Sequence, residues 1–191
     1  MLIPVVAAAL IFGGFVLADK FRKAKLVNAM TTDDSVEWVE VEVDGKKYLV
    51  GSDYYGGPLS TGKAATIARA KGWILPSPRI VDAIYEAADV KLTPITAGDM
   101  GEQNKGADKG QYSRHAWSVN DQLAGRSFKL LAGHSKDVVF LKEHPFKPGV
   151  MLNKLGIYGW HKDGKPIQAP MWGHSETYED YSQRLRPVRE V

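Results

Sequence analysis

The sequence predicts an α+β fold: a single domain with a small mixed or antiparallel sheet and about three helices, preceded by an N-terminal hydrophobic helix. Three observations predict it. Val39, Val41 and Val43 alternate with polar residues up to Asp44-Gly45, the dipeptide of a two-residue hairpin turn. Ile80, Val81, Ile84, Tyr85 and Ala88 repeat at helical spacing behind Ser77-Pro78, an N-cap followed by proline at the first helical position. After Phe128 the chain changes to short apolar runs separated by glycine turns.

Taken in order, Val36–Val43 and Lys46–Val50 form the hairpin, in a register that sets Val41 opposite Tyr48 and Val39 opposite Val50. Ser60 or Thr61 caps a helix over Gly62–Lys71 that stops at Gly72. Trp73-Ile74-Leu75 is a short buried run, and the Ser77-capped helix follows and ends before Thr93-Pro94. Thr96–Gly110, rich in glycine and charge, reads as a mobile loop. Tyr112–Leu123 is the third helix. Strands are expected at Phe128–Ala132, Val138–Leu141, Leu155–His161 and Pro166–Gln168, with turns at Gly133 and Asp163-Gly164. Helices dominate residues 60–124 and the sheet 128–185, with the 36–50 hairpin joined to that sheet. Arg184, Arg186 and Arg189 read as a solvated basic tail.

The 191 residues, 44% hydrophobic and 25% charged, suffice for one well-cored domain and exclude wholesale disorder. The absence of cysteine excludes disulfides, a thiol nucleophile and cysteine metal sites. The net charge of +3 resides entirely in the first 25 residues, at Lys20, Arg22, Lys23 and Lys25 against Asp19. The remainder sums to zero, which argues against nucleic acid as a partner.

Leu2–Ala18 is a run of seventeen residues without a charge, about 25 Å as a helix and the lower limit for crossing a hydrocarbon core. A cleaved signal peptide, an uncleaved membrane anchor and a helix packed against protein all fit such a run. The missing basic residues before it and the basic collar after it favour the anchor. Ala9-x-x-x-Gly13 would let this helix approach another closely, in lipid or in a homo-oligomer. Residues 1–25 are therefore anchor helix and collar, 26–35 a linker and 36–191 the α+β domain.

Candidate chemistry gathers on glycine-flanked histidines at strand ends and in loops. His134 lies in Ala-Gly-His-Ser-Lys-Asp137, His161 in Tyr-Gly-Trp-His, and His174 shortly before Asp180-Tyr181-Ser182. Histidine serves as a base near neutral pH and aspartate orients it, so His134, Asp137, His161, His174 and Asp180 are the expected catalytic set. Trp160, Trp172 and Tyr181 are the expected substrate-binding aromatics. The spacing matches no established metal motif, so no metal ligands are assigned, and the residues name no cofactor. His115 and His144 are expected to be bland. Gly57–Lys63 fits GxxxxGK, but Ala64 stands where a phosphate-binding loop needs Ser or Thr for magnesium.

Several blocks together are similar to an uncharacterised bacterial and phage-associated family. They are Leu75-Pro-Ser-Pro-Arg-Ile-Val-Asp-Ala-Ile-Tyr85, Ala132-Gly-His-Ser-Lys-Asp-Val-Val139, Ile157-Tyr-Gly-Trp-His161 and Asp180-Tyr181-Ser182. The likeness runs from about Tyr48 to Val188 and implies a shared domain, not a reaction. The family's last block continues with His-Gly, where this chain has Gln183-Arg184, so a proton-transfer group of the relatives is replaced by an amide.

The expected function is a membrane-anchored or phage-particle-associated, envelope-directed hydrolase acting on peptidoglycan. The alternative is a non-enzymatic virion or envelope component that uses residues 2–18 for insertion or assembly with virion proteins or its own copies. Either places the protein in the cell envelope or a virion.

Overall fold

The computed structural model describes residues 36–191. The expected anchor helix, collar and linker lie outside them. Among the described residues the fold is a mixture of three helices and small sheets.

The strands are β1 Trp38–Val43, β2 Lys46–Gly51, β3 Val90–Lys91, β4 Leu131–Ala132, β5 Lys136–Glu143, β6 Met151–Lys162, β7 Lys165–Met171, β8 Gln183–Arg184 and β9 Val188–Glu190. The helices are α1 Thr61–Ala70, α2 Pro78–Ala87 and α3 Lys109–Leu123. The hairpin has the expected register, Val41 opposite Tyr48 and Val39 opposite Val50. Ser60 Oγ caps α1 by accepting from the Lys63 amide, and Ser77 Oγ caps α2 by accepting from the Ile80 amide.

The sheet arrangement departs from expectation. In place of one sheet with the hairpin joined on, the strands form β1-β2-β9, a parallel β3-β4 pair and β7-β6-β5-β8. The C-terminal segment causes the division. β8 pairs in parallel with β5, and four residues after its end Val188 pairs with Val50 of the hairpin, so the tail stitches two sheets together. The solvated basic end that the three arginines suggested therefore holds only for Arg189, which is exposed, while Arg184 is half-buried. Arg186 is among the largest fully buried side chains among the described residues.

The core lies where these layers meet. Ile80 and Ile84 of α2 pack on Val41, Tyr48, Val50 and Val188. Val81, one position round the helix, packs instead on Val139, Leu141 and Tyr158 of β5 and β6. Ala64 and Ala68 of α1 meet Val138 and Leu185, while Val119 and Leu123 of α3 cover Val90, Leu92 and Leu131. The Thr96–Gly110 loop, expected to be mobile, is tied to α3 through buried Gln111. That side chain donates to Glu102 and to the Gln103 carbonyl and accepts from the Lys105 amide.

Candidate functional site

The site is built around β5, where side chains alternate between two faces. Lys136 points to one side, and there its Nζ meets Asp180 Oδ2 at 2.7 Å, both side chains being buried. Asp180 also accepts from the amide and hydroxyl of Ser182, and Trp160 lies under the ammonium at 4.7 Å. Burial would raise the Asp180 carboxyl, but the Lys136 ammonium and the two Ser182 donors outweigh it and hold the carboxyl below its ordinary range. This half is a closed, paired charge.

Asp137 points to the other side. Its Oδ2 lies 2.9 Å from Tyr54 Oη, which also lies 3.2 Å from the Ser135 carbonyl. A phenol carries one proton, so it serves either acceptor. When Asp137 is protonated it can donate to the phenol oxygen while the phenol turns to Ser135, and both states of the carboxyl stay hydrogen-bonded. Asp137 is 3% exposed. Burial lifts its carboxyl to about 6, opposed by Arg186 and the Tyr54 hydroxyl and reinforced by the charge of Asp82.

Asp82, on α2, opens this half to water, with 42% of its side-chain surface exposed. Its Oδ1 takes two hydrogen-bonding partners at 2.8 Å, the Tyr158 hydroxyl and His161 Nε2. Tyr85, one turn along α2, stacks on the His161 ring at 4.4 Å. Tyr158 and His161 are three apart on β6, an odd spacing that an even-period strand would send to opposite faces. Gly159 and Trp160 have φ of +97° and +58°, and here the β6–β7 register slips. The local twist brings Tyr158 and His161 together on Asp82 and turns Trp160 toward Lys136. Glycine is required at 159 twice over, since a Cβ there would also stand 3.0 Å from Val81 Cγ1.

His134 contributes first through its backbone. Its carbonyl accepts from His115 Nε2 at 2.9 Å and from Trp160 Nε1 at 3.2 Å, which fixes the 133–135 turn. Gly133 lets that turn lie against β3, because a Cβ there would fall 2.2 Å from the Leu92 carbonyl. The His134 ring is buried, and burial first, then Arg184, His115 and Arg186, hold it far below its ordinary value. It is therefore neutral, and its 3.8 Å approach to Asp53 is neither a salt bridge nor a hydrogen bond. Burial likewise lowers His115 to about 4.

Two arginines complete the cluster. Arg186 donates to the Gly51 and Leu131 carbonyls at 3.0 and 2.8 Å, with its guanidinium 3.8 Å from the Tyr54 ring centre. Arg184 donates to the Gly56 carbonyl. Asp53, 32% exposed on its side chain, stands at the rim beside them. Burial pushes the Asp53 carboxyl up, opposed by Arg186, the Tyr54 amide and Arg184, and the solvent at the rim moderates the push. Among the described residues, buried polar atoms without a hydrogen-bonding partner concentrate here: His134 Nδ1, Ser135 Oγ, Asp137 Oδ1, Arg184 Nε and Arg186 Nε. Such atoms are costly unless something polar meets them, so their concentration marks a place for water or ligand.

Of the residues expected from sequence, the structure brings His134, Asp137 and His161 into this neighbourhood. Asp180 lies on the opposite face of β5, tied to Lys136. Tyr181 is buried beside Trp160, its hydroxyl donating to the Ile95 carbonyl. His174 is exposed and stacks on Tyr178, and Trp172 packs with His144 and Phe146 beyond the cluster. Lys63 of the GxxxxGK stretch is ion-paired with Glu179. Sequence reasoning missed Asp53, Tyr54, Asp82, Arg184 and Arg186. Asp82 alone left a signal, as a carboxylate inside an apolar helical stripe. Among the described residues no group of three or more potential ligands is arranged to hold a metal ion. Comparison of the chain with protein-family models, with curated proteins and with solved structures gives no match in any of the three.

Proposed function

We propose that residues 36–191 form a single envelope-directed hydrolase domain in which Asp137 is the proton donor. The observation that carries this reading is Asp137 itself: a buried carboxyl lifted to about 6, with one oxygen unpartnered and a second carboxylate, Asp82, near enough to raise it. Two carboxyl groups in unlike surroundings are what acid-assisted cleavage of a glycosidic bond needs. Asp137 protonates the leaving oxygen. As that bond breaks, water adds to the anomeric carbon and gives up a proton to Asp82, which Tyr158 and His161 orient and whose negative charge faces the developing cation. The substrate in this reading is the glycan of peptidoglycan. The proposal includes membership in the bacterial and phage-associated family, anchorage through residues 2–18 and a place in the cell envelope or a virion.

The test uses the full 191-residue chain in detergent with purified sacculi, following new reducing ends. Wild type is expected to release them, with activity falling as pH rises past about 6 because the acid form of Asp137 is lost. Asp137→Asn should lower the rate by roughly 100-fold or more. Release by Asp137→Asn at the wild-type rate would remove Asp137 from the chemistry. No release by wild type would leave the second reading, a non-enzymatic envelope or virion component, which the burial of His134 and Asp137 and the pairing of Asp180 favour.

A further inference from the structure

Far from the acid cluster, β5 and β6 continue outward and close in a tip at residues 144–150. Phe146 is 66% exposed, and Val150 and Met151 beside it are exposed as well. An apolar tip would ordinarily fold back, but this one is braced. The His144 amide donates to the Val150 carbonyl at 2.7 Å, the Lys147 amide to the His144 carbonyl and the Val150 amide to the Lys147 carbonyl. The Trp172 ring supports it from behind, 5.2 Å from His144 and 6.4 Å from Phe146. Lys142, Lys147 and Lys154 are exposed around it, against the single carboxylate of Glu143, and none of the three is ion-paired among the described residues. Exposed Trp117 lies instead on the polar helix α3.

We infer that this tip is a membrane contact, with Phe146, Val150 and Met151 entering the interfacial layer of an anionic bilayer and the three lysines meeting its headgroups. Apolar side chains held out beside unpaired ammonium groups complement such a surface on both counts, by area and by charge. The chain outside the described residues supports the choice of a lipid surface. Leu2–Ala18 is apolar, and the seventeen residues 19–35 that follow span at most about 60 Å fully extended, which keeps the domain tethered close to any bilayer that receives the anchor. The inference rests on the anchor proposed above but not on the hydrolase. Docking by the tip turns the domain from a tethered body into one with a fixed orientation to the membrane.

The absence of cysteine makes a direct test available. The full chain carrying Val150→Cys, labelled with an environment-sensitive dye, is mixed with phosphatidylcholine vesicles with and without phosphatidylglycerol. A second chain carries the dye at Asp121→Cys on the exposed side of α3. The dye at 150 is expected to shift to the blue and to be quenched by lipid-borne spin labels on anionic vesicles only. The dye at 121 should do neither, and Lys142→Gln/Lys147→Gln/Lys154→Gln should abolish the change at 150. A chain that sediments with vesicles while its dye at 150 stays aqueous overturns the tip contact and leaves the anchor standing. A chain that does not sediment with either vesicle overturns both. A blue shift without lipid would show that the tip joins protein copies, and overturns the membrane contact.

Discussion

Lys136 and Asp137 are adjacent, charged and buried, yet their two sides of β5 are organised oppositely. On the Lys136 side every strong charge is answered: the ammonium by Asp180 and the Trp160 face, and the carboxylate by Ser182 as well. On the Asp137 side the carboxyl is lifted toward neutrality, one of its oxygens is unpartnered, and the flanking Asp53 and Asp82 reach solvent. Burial by itself does not separate structural from chemical polar groups. What separates them is whether the hydrogen-bonding capacity is used up.

The largest expected effect breaks the closed side. Lys136→Ala leaves Asp180 buried and uncompensated and should destabilise the protein by about 3–5 kcal/mol in denaturant unfolding. Replacing both partners, as Lys136→Met with Asp180→Leu, should recover most of that loss, because it removes the stranded charge as well as the pair.

The open side should respond with the opposite sign. The folded protein takes up the Asp137 proton at about pH 6, whereas an unfolded aspartate does so near 3.9. Its contribution to stability is therefore absent at pH 7 and grows as pH falls between those values. Asp137→Asn should raise stability at pH 7 by about 1–3 kcal/mol while abolishing the proposed activity. His115 and His134, neutral when folded, act the other way and lose stability as pH drops below about 6.5. Without the opposing Asp137 contribution, the variant should lose stability more steeply than wild type between pH 6 and 4, as read by unfolding at several pH values.

The twist that sorts β6 between the two sides can be tested by Gly159→Ala. A left-handed φ and the approach to Val81 should make it costly by about 1–3 kcal/mol. In NMR spectra it should also release the His161 Nε2 proton from its Asp82 hydrogen bond. An unchanged His161 signal would mean that the twist does not position the ring. The smallest effect is expected from His174→Ala, outside both sides, which should change stability by less than about 0.5 kcal/mol. A large loss of activity there would redraw the boundary of the site.

Much of the fold was legible in the chain because its signals are local. The Asp44-Gly45 turn and the alternating valines specify the hairpin and its register, and Ser60 and Ser77-Pro78 mark the starts of α1 and α2. Of the site, the Gly133–Asp137 and Tyr158–His161 blocks could be found, since glycine beside histidine is unusual enough to see in one dimension. Their two-sided arrangement could not. Asp82 meets His161 across 79 positions, Tyr54 meets Asp137 across 83, and Arg186 reaches Gly51 across 135. Nothing near Arg184 or Arg186 in sequence distinguishes a buried arginine from a solvated one, because what buries them is the pairing of β8 with β5 and of β9 with β2. The sequence by itself determined the hairpin, the three helices and the turns, where neighbours within a few residues set the backbone. The tertiary structure alone decided which charges are answered and which are left open, since a charge is neutralised by whatever the fold brings beside it and not by what precedes it in the chain.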